Sequence, residues 1–204
     1  MDPMNPQKLE VAYHEAGHAA MALSYGLKIK KSSLIGTAEY RGVTSLEPFE
    51  RKNTIEHAER EIRLNLAGFV GEGLFSENKI KIDPPTHPEL LDSIKIVRDM
   101  LNDEGFRNFA NGLPDFYQRN LNMIIDPTVR GYINCMLESC FAKMIPLKPA
   151  IKSIAEELNR RDELSGEEIA DLFNSCIRSS LGADHIKHST SVLQGINMLG
   201  DVPK

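Results

Sequence analysis

Cysteine is scarce: Cys135, Cys140 and Cys176 in 204 residues are too few, and too odd in number, for a disulfide framework. They include no C-x-x-C pair, and Cys135 and Cys140 stand five apart on an expected helix, so they read as reduced, apolar fillers. Basic blocks are lacking too. The only short one, Lys28-Ile29-Lys30-Lys31, reads as the solvated end of a helix, and with a net charge of −5 it argues against a nucleic-acid partner. No apolar run approaches the roughly 20 residues of a membrane span. Residues 1–10 are polar and proline-containing rather than a signal peptide, so a soluble, cytoplasmic chain with no membrane segment is the expectation. No Gly-x-x-x-x-Gly-Lys-Ser/Thr loop occurs, so the chain has no phosphate loop of its own for coupling nucleotide hydrolysis to work.

What is present suffices for a core: 41% of the residues are hydrophobic, enough for one domain over residues 1–180. The remainder, 181–204, is polar and weakly periodic and reads as a flexible tail, in which His185 and His188 are a stray pair. Asn5-Pro6 and Gly26 bracket a first helix whose apolar positions recur at helical spacing. Residues 32–46 hold two β-compatible runs separated by glycine-bearing turns, a small sheet or hairpin packed on that helix. A long helix is expected from about Thr54 to Phe75, with Gly68, Gly71 and Gly73 in its far half. Glycines there are costly unless another element packs closely, and the small-residue face of the first helix is the obvious partner. Pro88 opens a further helix to about Asp103, and three more follow at about 127–144, 147–160 and 165–180. The fold class is therefore mainly α with a small β-sheet.

The chemistry-bearing stretch is Ala12-Tyr13-His14-Glu15-Ala16-Gly17-His18-Ala19. His14 and His18 lie one helical turn apart on one face, close enough to share a metal ion, and neutral imidazoles at that spacing suit Zn2+. Glu15 would lie beside the open coordination position and take a proton from a metal-bound water, the H-E-x-x-H arrangement of zinc peptidases. Gly42-Val43-Thr44 is a candidate strand edge for holding a substrate backbone, although an ordinary hairpin fits the same residues. Glu89 and Asp92 lie three apart on one helix face near its start; taken singly, each is also what a helix N-terminus favours.

With these pieces, residues 8–175 resemble the peptidase domain of the FtsH family of ATP-dependent zinc proteases. The similarity begins at Ala12–Ala19 and continues through Ser33-Leu34-Ile35 and Arg41-Gly42-Val43-Thr44, then Leu66-Ala67-Gly68, Glu72-Gly73-Leu74-Phe75, Met100-Leu101 and Gly105. It ends in Ala155–Leu158 and Glu163–Ile169. The resemblance implies a zincin-like helix carrying His14, Glu15 and His18, followed by a C-terminal helical bundle. It implies a zinc-dependent endopeptidase acting on a polypeptide substrate, with a homo-oligomer or a separate ATPase as further partners. The family's third zinc ligand is an aspartate, and the ungapped match puts Glu89 at that position; Asp92, one turn on, is the rival ligand or else an acceptor orienting a histidine. Two further departures are that the family's ATPase module does not occur in this sequence and that its Gly-Arg-Ala-Ala-Glu-Glu stretch becomes Gly68-Phe69-Val70-Gly71-Glu72-Gly73. Two rival readings stay open: a non-catalytic zinc-binding scaffold or regulatory subunit, and a small-peptide or ester hydrolase using the same site.

Overall fold

The computed structural model describes residues 6–35, 41–50, 54–75, 88–101 and 127–183. In chain order the elements are α1 (Pro6–Ser24), β1 (Ile29–Ile35), β2 (Arg41–Leu46), α2 (Ile55–Gly73), α3 (Pro88–Leu101), α4 (Pro127–Met144), α5 (Lys148–Arg161), β3 (Glu163–Ser165) and α6 (Gly166–Ala183). The protein is mainly helical with one small antiparallel sheet, as the sequence leads one to expect.

Helix α1 lies at the centre. Ala12, Ala16, Ala19, Ala20, Met21 and Ala22 are all fully buried, because α2, α5 and the strands β1 and β2 pack against different faces of the same helix. Few side chains larger than alanine could be accommodated on so many sides. Its end is local chemistry: Gly26 adopts φ 70°, while Leu27 N–H donates to the Ala22 carbonyl and Gly26 N–H to that of Leu23. This is the Schellman arrangement, which satisfies the last carbonyls and favours glycine at the left-handed position. Pro6 stands at the first helical position; the cap read at Asn5 lies outside the described residues.

Helix α2 starts at Thr54, whose hydroxyl accepts the His57 N–H at 3.3 Å. It crosses α1 backbone against backbone. A Cβ at Gly17 would overlap the Ala67 carbonyl, and one at Gly71 would overlap the Tyr13 carbonyl and lie 3.0 Å from the Gly17 Cα. The expectation that the glycines of α2 meet the small-residue face of α1 holds at this crossing. Phe69, Leu66 and Ile62 continue the buried face of α2 into the core, joined by Leu90 of α3, Tyr132 and Ile133 of α4 and Ile151, Ile154 and Leu158 of α5.

The sheet has strand order β2-β1-β3, so both β2 and β3 are edges. β1 pairs antiparallel with β2 through Ser32↔Thr44, Ser33↔Val43 and Leu34↔Gly42, and with β3 through Ser32↔Leu164. Strand β3 corrects the reading of 163–165 as merely the lead-in to a helix. At three residues it has too few positions to show a period, and it forms because Asp162 turns left-handed at φ 65° and offers its carbonyl to Leu34 N–H at 2.7 Å. Ser165 still caps α6: its hydroxyl accepts Glu168 N–H, and Glu168 in turn accepts Ser165 N–H.

A second correction concerns Lys28–Lys31. The run is not a helix end, because Gly26 has already closed α1; Ile29 is buried as the first residue of β1, and Lys31 pairs with Glu163 across the sheet at 2.7 Å. Helix α6 runs on to Ala183, past the expected domain boundary at 180. Residues 184–204, with His185 and His188, lie outside the described residues, as do 106–125 and Gly105. Among the described residues no helix is long and apolar enough to cross a membrane. Of the cysteines, Cys140 is fully buried between α2 and α4, and burial pushes its thiol up to about 12; Cys135 and Cys176 are half-buried and all three are free.

Candidate metal centre and its cleft

His14, Glu15 and His18 sit in the middle of α1, where the helix is held on several sides. His14 and His18 bring their Nε2 atoms to 3.0 Å from each other. What aims them is α2. His18 Nδ1 lies 2.7 Å from the Leu64 carbonyl, and His14 Nδ1 lies 2.5 Å from Glu72 Oε1. A carbonyl can only accept, so Nδ1 of His18 carries the proton and its Nε2 presents a lone pair; Glu72 favours the same tautomer at His14. These contacts need α2 close to α1. At Gly68 a Cβ would overlap the His14 ring at Nε2, so the backbone of α2 forms one wall of the group.

Glu89, in the first turn of α3, completes the cluster. Its carboxylate oxygens lie 3.2 and 3.3 Å from His14 Nε2, and Oε1 lies 3.4 Å from His18 Nε2. The three residues form a group whose donor atoms all lie within 4.8 Å of one another. For zinc bonded tetrahedrally to nitrogen and oxygen at about 2.0–2.1 Å, donor atoms stand about 3.3 Å apart, which these separations approach. The donor set also fits in kind, with two imidazole nitrogens oriented from behind and one carboxylate. Asp92 does not join it: one turn further along α3, it is exposed to solvent. The orienting role considered for Asp92 falls instead to Glu72 and the Leu64 carbonyl.

The field in the group favours positive charge. Burial works against protonating His14, yet the hydrogen bonds to Glu72 and Glu89 outweigh it and raise the imidazole to about 10. Burial likewise opposes the charged form of Glu89, but His14 and His18 hold its carboxyl well below the usual carboxylate range. Carboxylates on both sides of His14 make a place where a cation is stabilised.

Glu15 points to the other side of α1, under β2, and is 4% exposed. Its Oε2 accepts a hydrogen bond from the Thr44 hydroxyl at 2.7 Å, and the Thr44 oxygen lies 2.8 Å from that of Ser32 on β1. With the Thr44 proton given to Glu15, Ser32 donates to Thr44, and a two-hydroxyl chain holds the carboxylate from the sheet. Gly42 passes directly over Glu15; a Cβ there would stand 2.6 Å from the carboxyl carbon. The edge of β2 is turned to solvent in a definite register. Leu34 N–H points away from β2, to Asp162, so by the alternation of an antiparallel ladder Gly42 and Thr44 direct their N–H and C=O groups outward. Among the described residues no strand pairs with that edge. A cleft of about 250 Å3 lies there, lined by Glu15, His18, Gly42, Val43, Thr44, Leu46, Leu64, Asn65 and Glu89.

Sequence reasoning thus names His14, Glu15, His18, Glu89 and the Gly42–Thr44 edge, and the structure gathers them around one cleft. It misses Glu72, Ser32 and Asn65. Glu72 carried a readable signal, since it stands one turn beyond Gly68 on the face of α2 that meets α1, and a carboxylate on a tightly packed face needs a partner. The sequence matches no protein-family model, and no curated protein matches it.

Proposed function

We propose that this chain is a zinc-dependent endopeptidase resembling the FtsH peptidase domain, which hydrolyses peptide bonds in unfolded proteins or flexible peptides without ATP. The observation that carries the reading is the convergence of His14 Nε2, His18 Nε2 and the Glu89 carboxylate beside Glu15, at the mouth of a cleft bordered by an unpaired strand edge. His14, His18 and Glu89 would hold the ion, with Glu72 and the Leu64 carbonyl keeping both imidazoles turned toward it. Zinc bound there would polarise the scissile carbonyl and lower the pKa of a water molecule to about 7.

The remaining work belongs to the protein. The outward groups of Gly42 and Thr44 receive an extended segment of substrate as an added strand, bringing its backbone alongside Glu15. Glu15 accepts a proton from the attacking water and delivers it to the leaving amine, so the nitrogen departs as a neutral amine and Glu15 returns to its carboxylate. Thr44 keeps that carboxylate in place through both transfers, and it can do so because its own proton is shared with Glu15 while Ser32 satisfies its oxygen. A backbone-read substrate has to be locally extended, which makes unfolded protein the fitting class.

The test is cleavage of casein by the zinc-loaded protein and by its Glu15→Gln variant. Turnover by the former and its loss, on the order of a thousandfold, in the latter is expected, with zinc content unchanged. Equal cleavage by both would refute the reading, and stoichiometric zinc without any cleavage would favour the scaffold alternative.

A further inference from the structure

The cleft has two walls. One is the edge of β2; the other is α2, through Leu64 and Asn65. An extended polypeptide laid against β2 gives the N–H and C=O groups of every second residue to that edge, and those of the intervening residues face the opposite wall. In a narrow cleft these groups lose water, and each one left without a partner weakens binding. Most polar groups near them are already engaged: the Leu64 carbonyl holds His18, Glu15 holds the Thr44 hydroxyl, and His18 and Glu89 belong to the metal group. Asn65 differs. It is half-buried in the cleft, and among the described residues its side-chain amide has no hydrogen-bond partner. An asparagine amide offers a donor and an acceptor in the geometry of a peptide group, so it can meet the C=O and N–H that β2 leaves unmatched. Its place is also fixed relative to the chemistry, because the preceding residue on the same helix is the one whose carbonyl orients His18.

We propose that Asn65 is a substrate-binding residue, whose amide hydrogen-bonds the backbone of the bound polypeptide on the side opposite β2. The inference deepens the peptidase reading and rests on it. Substrate is then gripped on both backbone edges, by Gly42 and Thr44 on one side and Asn65 on the other. Both grips read main chain rather than side chains, so they act alike on many sequences.

The experiment uses the full chain with zinc added. A fluorescein-labelled flexible peptide of about ten residues is titrated by anisotropy against Glu15→Gln and Glu15→Gln/Asn65→Ala, together with a series in which one peptide N–H at a time is replaced by an ester oxygen. Loss of one hydrogen bond at a desolvated site should weaken binding about tenfold in the Asn65→Ala background. One ester position should cost affinity when Asn65 is present and cost nothing when it is alanine, a coupling that a merely structural role would not produce. With Glu15 intact, Asn65→Ala should raise KM by a similar factor and leave kcat within about twofold. Asn65→Asp, close in shape but lacking the donor, should bind as weakly as alanine, and it serves if the alanine variant does not fold. Equal affinity with and without the amide, or a loss coupled to no ester position, overturns the proposal while casein cleavage leaves the peptidase reading intact. Coupled binding without any cleavage by the Glu15 form leaves Asn65 its role and overturns the peptidase instead.

Discussion

Glu89 and Asp92 are both acids near the start of one helix, yet only Glu89 faces the two histidines, and zinc affinity should separate them. Glu89→Ala is expected to lose zinc by several orders of magnitude, and Asp92→Ala to bind it within about twofold of the parent. Glu72→Gln, which keeps its shape but loses the charge behind His14, should fall between them at about 10–100-fold. Competition with a chromophoric chelator measures all three; a large loss in Asp92→Ala would mean that α3 is turned by a helical step. At Gly42 the test is steric. A Cβ there must push the Glu15 carboxylate aside, so Gly42→Ala should lower turnover about a hundredfold while zinc stays bound. At this scale the sequence is informative wherever the chemistry is local. His14, Glu15 and His18 are legible from spacing on one helix, and Glu89 from matching residues to a family pattern. Glu72, Ser32 and Asn65 act across element contacts, and their roles appear only when α2 and β1 are brought beside α1.

The crossing of α1 and α2 does at the level of elements what the histidines do at the level of residues. Because Gly17 and Gly71 let the two backbones touch, the Leu64 carbonyl and Glu72 reach the far nitrogens of both imidazoles. Gly71→Ala should therefore destabilise the protein by about 3 kcal/mol, an overpacking cost against backbone that cannot repack, and weaken zinc binding with it. Urea unfolding of the metal-free and zinc-loaded forms checks this. A stability loss with unchanged affinity would show that the crossing is not what aims the rings. The helices themselves were legible in their periodicity, their prolines and the Ser165–Glu168 cap. The start of β1 and the whole of β3 were not, because a strand of three residues is defined by what it pairs with and Lys28–Lys31 carries helix-end chemistry without a helix.

For the molecule as a whole, the missing phosphate loop sets the limit on what it can process. A typical domain, stable by about 5–15 kcal/mol, opens too rarely to supply an extended strand to β2. We expect one substrate protein, presented in folded and permanently unfolded forms with and without ATP, to be cut only when unfolded and equally in both nucleotide conditions. Stimulation by ATP in the purified single chain would refute this. The strand order β2-β1-β3 has a consequence for how the molecule comes into being. The histidine helix is among the first residues synthesised, but β1, which carries the edge strand over Glu15, is flanked by residues 162–165, more than a hundred positions later. Contacts so distant along the chain close slowly, and on the ribosome they wait until nearly the whole domain has emerged. A growing chain would thus display its metal ligands well before it owns a finished cleft, and the delay shields the nascent protein, and its neighbours on the same message, from a half-built hydrolase.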